Sequence, residues 1–216
     1  MKTDPLSDAW DFLVGAQPDQ VALGDLRWLF VGFFAFLIVA SGVIALAAWR
    51  RQGGEPASGP FWAWLVRAMI GVMWFQGSLW KLPFPVAPGL QYWTEQMVDD
   101  AAWPWFGWFV GAVLLPNMVI VDPLVFVAEM GLAITLLLGL FVRPAASLGA
   151  IYTIVLWIGL YRHPGEWPWE FIFLAAAQAM SAAVGGGYSL GLDGLLAPLW
   201  QRSVDRPTHP SGRIAR

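Results

Sequence analysis

The sequence predicts an all-α integral membrane protein that crosses the bilayer five times, with its N-terminus outside and its C-terminus inside. Three observations carry this expectation. The 216-residue chain is 58% hydrophobic and 12% charged, against roughly 45–50% and about 25% for soluble domains; its mean hydropathy is +0.59. Several apolar stretches reach the ~20 residues that a helix rising 1.5 Å per residue needs to cross a ~30 Å hydrocarbon core. Lys and Arg collect at alternate ends of those stretches, as short cytoplasmic loops retain positive charge.

In chain order, the first span runs from Trp28 to about Trp49, between an acid-rich segment (Asp4, Asp8, Asp11, Asp19, Asp25) and the pair Arg50 and Arg51. The run ALAA at Ala45 to Ala48 resembles a signal-peptidase site, but a signal peptide needs a basic segment before its apolar run, so this span is read as retained. The second span covers Phe61 to Leu82, the third Pro123 to Val142, the fourth Pro144 to Tyr161 and the fifth Trp169 to Val184. Gly185, Gly186 and Gly187 then stop the helix; with no preceding strand and no Lys-Ser/Thr pair they do not make a phosphate loop. Trp103 to Leu115 is apolar but short and bracketed by Pro104 and Pro116, which reads as an interfacial or re-entrant segment.

Charge placement sets the orientation. Arg50, Arg51, Arg143 and the tail residues Arg202, Arg206, Arg213 and Arg216 fall on one side, whereas the acidic N-terminus and Glu95, Asp99, Asp100 and Asp122 of the longest loop fall on the other. The chain divides into residues 1–60, an extracytoplasmic segment with an added span and a cytoplasmic loop; residues 61–200, a four-helix membrane domain; and residues 201–216, a disordered cytoplasmic tail. The expected location is the inner (cytoplasmic) membrane.

Composition also excludes chemistry. There is no Cys, so thiolate nucleophiles, iron–sulfur clusters and c-type haem attachment are ruled out. Only His163 and His209 offer imidazole, and His209 lies in the polar tail, which leaves neither a bis-His haem nor a metal set. A net charge of −3 with scattered cations argues against a nucleic-acid partner. An electron-transfer role would have to use a quinone or a partner's cofactor.

Ionisable residues inside the spans are costly and should face a partner, a cavity or the interface. Arg67 and Lys81 are 14 residues apart in the second span, and Glu129 and Arg143 are 14 apart in the third; at ~100° per residue each pair shares one helix face. Antiparallel packing then brings Lys81 to Glu129 at the outer end and Arg67 to Arg143 at the inner end. The outer layer gathers Lys81, Glu129, His163 and Glu170 as candidate catalytic residues, while the inner layer takes Asp193 as counter-charge to Arg67 and Arg143 in structural ion pairs. Charges near span ends also snorkel or lock helix register, so both readings stand open at each position. Glu129 favours function, being ~10 Å deep; Gln76 lies ~180° from Arg67 and should face away from this site. Of 15 Trp, seven, including Trp80, Trp167 and Trp169, gather at the outer boundary. They form either an interfacial belt or an aromatic vestibule able to hold a quinone ring.

From Phe61 to Leu196 the chain resembles the DoxX/DoxD family of small membrane proteins. Arg67, Gly77 and Lys81 in RAMIGVMWFQGSLWK, then Glu129, Gly131, Gly139 and Arg143 in EMGLAITLLLGLFVR, then GGGYSLGLD from Gly185 to Asp193 are similar in order and spacing to the family's pattern. Gly187 departs from it, standing where the family usually carries a basic residue. The resemblance implies a four-helix bundle, here with an added N-terminal span. It also implies a membrane subunit of a quinone-linked redox system similar to the small subunit of thiosulfate:quinone oxidoreductase, with quinone as cofactor and partner subunits or further copies of the chain. The competing expectation is a noncatalytic accessory or scaffold subunit whose contact surfaces are spans one and five and the small residues Gly107 and Gly111. A transporter ranks last, because neither an internal repeat nor a broken mid-membrane helix is evident.

Overall fold

The computed structural model describes residues 4–16, 18–53 and 58–204, and among them the fold is all-helical. His209, Arg206, Arg213, Arg216 and the side chain of Arg202 lie outside the described residues. Helix α1 (Pro5–Leu13) begins on Asp4, whose carboxylate accepts the amide protons of Leu6 and Ser7 at 2.9 and 2.8 Å, with Pro5 preset for the first turn. A 3₁₀ stretch (Pro18–Leu26) leads into α2 (Arg27–Arg51), which buries only a narrow stripe of Leu37, Ser41, Ala45 and Ala48.

Helices α3 (Ser58–Leu79), α6 (Met118–Leu138), α7 (Val142–Gly159) and α8 (Pro168–Ala183) form the bundle around a core that includes Trp74, Phe75, Ala133, Leu136, Leu137 and Ala146. Helices α3 and α6 are antiparallel and close: a Cβ on Gly71 would stand 2.8 Å from Leu137 Cγ, so the glycine sets the interaxial distance. Helices α7 and α8 pair along most of their length, with Gly149 lying against Gln178.

Three segments, Ala22–Arg51, Pro104–Leu138 and Val142–Gly159, are long and apolar enough to cross a bilayer. Their outward faces carry exposed Phe36, Val39, Val43, Leu124, Val127 and Ile151, surface that only lipid or another apolar partner covers at low cost. The chain is thus a membrane-embedded helical protein. Of the expected spans, the first, third and fourth meet this standard. Helix α8 has 16 residues, and the 22-residue α3 interrupts its apolar run with Arg67, Gln76 and Ser78.

The segment Trp103–Leu115, read from sequence as interfacial or re-entrant, is continuous with α6. Helix α5 (Pro104–Phe109) runs through a π-helical turn (Val110–Leu114) and a 3₁₀ turn (Leu115–Asn117) directly into α6, making one 35-residue helical segment. Pro116 removes an amide and crowds the preceding turn, and the wider π turn, in which Leu115 N–H reaches Val110 O, accommodates it. Pro123 likewise lies inside α6 instead of starting it. The longest loop is also largely helical: α4 (Pro88–Asp100) has 13 residues, apolar on one face and polar on the other, and so carries no span-like apolar run. Gly107 and Gly111, read from sequence as a partner surface, pack against Val98 of α4 within the chain.

The opposite end is closed by short α9 (Gly186–Leu190) and α10 (Leu192–Val204). Helix α6 stops at Gly139 (φ 70°), where a Cβ would collide with the Arg67 guanidinium and Gly191 Cα. Arg143, expected at the end of the third span, sits in the first turn of α7, exposed and beside Ala182 and Ala183 of α8.

Candidate functional site

Lys81 lies in the turn just past α3, its amide donating to Ser78 O at 3.2 Å. The ammonium donates to Gly77 O (2.7 Å), pairs with Glu129 Oε2 of α6 (2.5 Å) and stands 3.7 Å from the ring centroid of Trp80. Both members of the pair are only 2% exposed. The other carboxylate oxygen, Oε1, accepts the phenolic proton of Tyr152 on α7 at 2.9 Å. Three helices thus converge on one carboxylate. Such a pair adds little over apolar residues of equal volume, but losing one partner costs about 3–5 kcal/mol.

Asp122, fully buried on α6, stands within electrostatic reach of Lys81. Its Oδ2 accepts the Ala87 amide proton at 2.5 Å, fixing the start of α4, and Oδ1 has no hydrogen-bond partner. This matters because α4 roofs a cavity. Leu90, Trp93, Thr94 and Met97, spaced along one face of α4, line a space of about 300 Å³ together with Trp80, Lys81, Glu129, Tyr152, Leu156, Leu160, Glu166 and Phe171. The volume falls at the lower end of the range of small-molecule sites, about 300–1,000 Å³. Its walls are largely aromatic and aliphatic, with Lys81 and Glu129 paired at one point of the lining and Glu166 at another.

The residues expected from sequence divide clearly. Lys81, Glu129 and Trp80 meet at the cavity. His163 lies behind its wall, packed edge-on against Trp93 at 5.1 Å, and Glu170 is exposed at the start of α8. Trp167 and Trp169 are 64% and 52% exposed and do not line the cavity. Glu166, in the loop before α8, does line it. Its carboxyl is held above the ordinary glutamate range, first by burial and then by the charge of Glu170, with His163 pulling the other way.

Sequence reasoning missed Tyr152 and the polar clasp beneath it. The Tyr152 ring stacks on Trp74 (5.4 Å, 12°), the Trp74 indole donates to Gln178 Oε1 (2.9 Å), and the Gln178 amide donates to Thr153 Oγ1 (2.9 Å). The clasp ties α3, α7 and α8 together and orients Tyr152 toward Glu129. An indole N–H donates and cannot accept, so this line of groups positions the site and does not conduct protons. A detectable signal existed: Glu129 and Tyr152 lie almost equally far either side of the tight turn at Leu140–Phe141, so an antiparallel pair of helices sets them face to face. Gln76 does face away, bonding Leu13 O of the N-terminal segment at 2.9 Å.

Of the three residues expected in ion pairs at the other end, Arg67 and Asp193 bond helix-end backbone. The Arg67 guanidinium donates to the carbonyls of Leu136, Leu137 (3.3 Å) and Leu190 (3.0 Å), satisfying the last turns of α6 and α9. Asp193 accepts the amides of Phe141 (2.8 Å) and Val142 (3.0 Å), closing the start of α7. The two charges meet through the helix-end backbone they clamp, and Gly187 lies so near Asp193 that a Cβ there would strike the carboxylate. This end is a latch.

Among the described residues no group of three or more His, Cys, Asp or Glu side chains could hold a metal ion. Compared with family models, curated proteins and solved structures, the chain finds no match in any of the three.

Proposed function

We propose that the chain is a quinone-binding membrane subunit of a redox system, with its site in the cavity between α3, α4, α6, α7 and the start of α8. The observation that carries this reading is the aromatic-walled space of about 300 Å³ ending on the buried Lys81–Glu129–Tyr152 cluster. A quinone ring suits that chemistry: Trp80, Trp93, Leu156 and Phe171 present flat or aliphatic walls, and of the three Lys81 N–H groups one is left, beyond those given to Glu129 and Gly77 O, for a ring carbonyl to accept. When bound, the quinone would supply electron acceptance. The protein's own residues bind and orient: the Trp74–Gln178–Thr153 clasp fixes Tyr152, and Asp122 fixes the α4 roof.

The same reading takes five spans, α2, α3, α6, α7 and α8, as a DoxX-like four-helix bundle with α2 added, in the inner membrane. Arg50, Arg51 and Arg143 at one end support a cytoplasmic latch, and the acidic segments at the other support an outer cavity. The electron donor, a sulfur oxoanion in a thiosulfate:quinone-type system, would be handled by a partner subunit.

The test is purification of the native protein in mild detergent, extraction of bound quinone and mass spectrometry of co-purifying chains. Co-purified quinone that is lost in Glu129→Gln supports the reading. Stoichiometric partners with no quinone, and no binding of added 1,4-naphthoquinone, would leave a noncatalytic accessory subunit in its place.

A further inference from the structure

We infer that the cavity selects against anions, that its ligand is an uncharged or cationic ring compound, and that Glu166 is the residue at its rim that sets this preference. The inference rests on reading the cavity as a ligand site. Its lining holds one cation, Lys81, which is already engaged: Glu129 lies 2.5 Å away, Gly77 O accepts from it, and Trp80 covers it at 3.7 Å. Two carboxylates line the same space, Glu129, which is 2% exposed, and Glu166, half-buried in the α7–α8 loop. Asp122 adds a third negative group near Lys81, and Glu170 adds a fourth near Glu166, on which His163 also acts.

An anion entering past Glu166 would therefore meet no uncompensated positive charge. It would also lose water to walls made of Trp, Leu and Phe, which return no hydrogen bonds to it. A neutral ring loses little on entry and gains the aromatic faces. A thiosulfate-like donor consequently does not react in this cavity, and anion recognition belongs to another chain.

The chain has no cysteine, so one introduced thiol reports the cavity's potential. Thr94, buried and lining the space, is replaced by Cys in the full chain, reconstituted in nanodiscs of zwitterionic lipid. Its modification rate is measured with anionic 2-sulfonatoethyl, cationic 2-(trimethylammonio)ethyl and neutral methyl methanethiosulfonate, each normalised to a free thiol. The expected cation-to-anion rate ratio exceeds that of the free thiol by roughly 10-fold, as one partly screened unit charge predicts, and falls several-fold in Glu166→Gln.

A ratio near that of the free thiol, or one unmoved by Glu166→Gln, overturns the inference. So does failure of the neutral reagent to react at both Thr94→Cys and a second lining variant, Met97→Cys, since the cavity would then be closed to ligands. Binding of 1,4-naphthoquinone separates this from the quinone reading. A high ratio without naphthoquinone binding refutes the quinone reading alone, whereas naphthoquinone binding with equal affinity for its 2-sulfonate refutes the charge selection alone.

Discussion

Replacing Gly149 by Ala tests whether the polar clasp in the bundle core holds the site together. A Cβ at this position would overlap the Gln178 side-chain oxygen and stand 3.5 Å from Trp74 Nε1. Gln178 is fully buried between α7, α8 and α3, so its amide cannot swing into solvent. Displacing it breaks the Trp74 and Thr153 hydrogen bonds, each worth roughly 0.6–1.7 kcal/mol between membrane helices. Overpacking adds about 1–3 kcal/mol, and the better helix propensity of Ala returns about 1 kcal/mol. The expected net loss is about 3 kcal/mol, read as unfolding in mixed detergent–SDS micelles followed by circular dichroism. Introduced into Gln178→Ala, where the obstructing amide is gone, the same change should be neutral or stabilising by up to about 1 kcal/mol. An equal loss in both backgrounds, or none in either, would refute the clasp as the origin of the effect.

Lys81→Met, Glu129→Leu and Glu129→Gln should each destabilise the protein by about 3–5 kcal/mol, because each strands a buried partner, while the Lys81→Met/Glu129→Leu double variant recovers to within about 1–2 kcal/mol of the parent; the same denaturation assay checks this, and additive losses would contradict it. Asp193→Asn keeps the shape of the latch but weakens its grip on the Phe141 and Val142 amides, so we expect a loss of about 1–2 kcal/mol with naphthoquinone affinity unchanged; altered affinity would mean that the two ends of the bundle are coupled. The rim should also respond to pH. Burial and Glu170 hold the Glu166 carboxyl above the ordinary range, so lowering pH from 7 toward 5 removes its negative charge earlier than for an ordinary glutamate. The anionic reagent should then gain on the cationic one at the thiol introduced by Thr94→Cys, an effect diminished in Glu166→Gln and retained in His163→Asn; a pH-independent ratio would count against Glu166 as the rim charge.

The long apolar helices were legible because a bilayer demands a run of apolar residues, and nothing in packing can substitute for it. The Lys81–Glu129 pair was legible for a related reason: charge is rare in such helices, and antiparallel geometry leaves few ways to pair it. Helix α4 was not, since its signal is one face, Leu90, Trp93, Thr94 and Met97, on an otherwise polar 13-residue segment. Tyr152 and Gln178 were hidden differently. A tyrosine changes the hydropathy of a span little, and a single glutamine, though polar, does not say which helix it faces; the importance of either appears only when the neighbouring helix is placed beside it. His163 and Glu170 were grouped with the site by nearness in sequence to the outer boundary, which fixes depth in the membrane but not direction around the bundle axis.

That distinction between depth and direction bears on how the two charged layers should be understood. Arg67 and Asp193 direct their charge onto backbone groups at the ends of α6, α7 and α9, where helix termini leave carbonyls and amides unpaired that lipid cannot satisfy. Apart from the Arg67 Nε, which is buried without a partner, their polar atoms are used on the backbone of the fold. Lys81 and Glu129 cap no comparable set of helix ends: the ammonium takes one carbonyl, and the carboxylate takes the ammonium and a phenol. An apolar pair of equal volume would hold α3 to α6 at least as well. The Lys81–Glu129 cluster is therefore not needed for packing, and it lies at the end of the bundle that holds the cavity. This asymmetry, one layer spent chiefly on helix-end backbone and the other on side chains lining a cavity, is the physical reason to look for the ligand at Lys81–Glu129 and to treat the Arg67–Asp193 end as a latch.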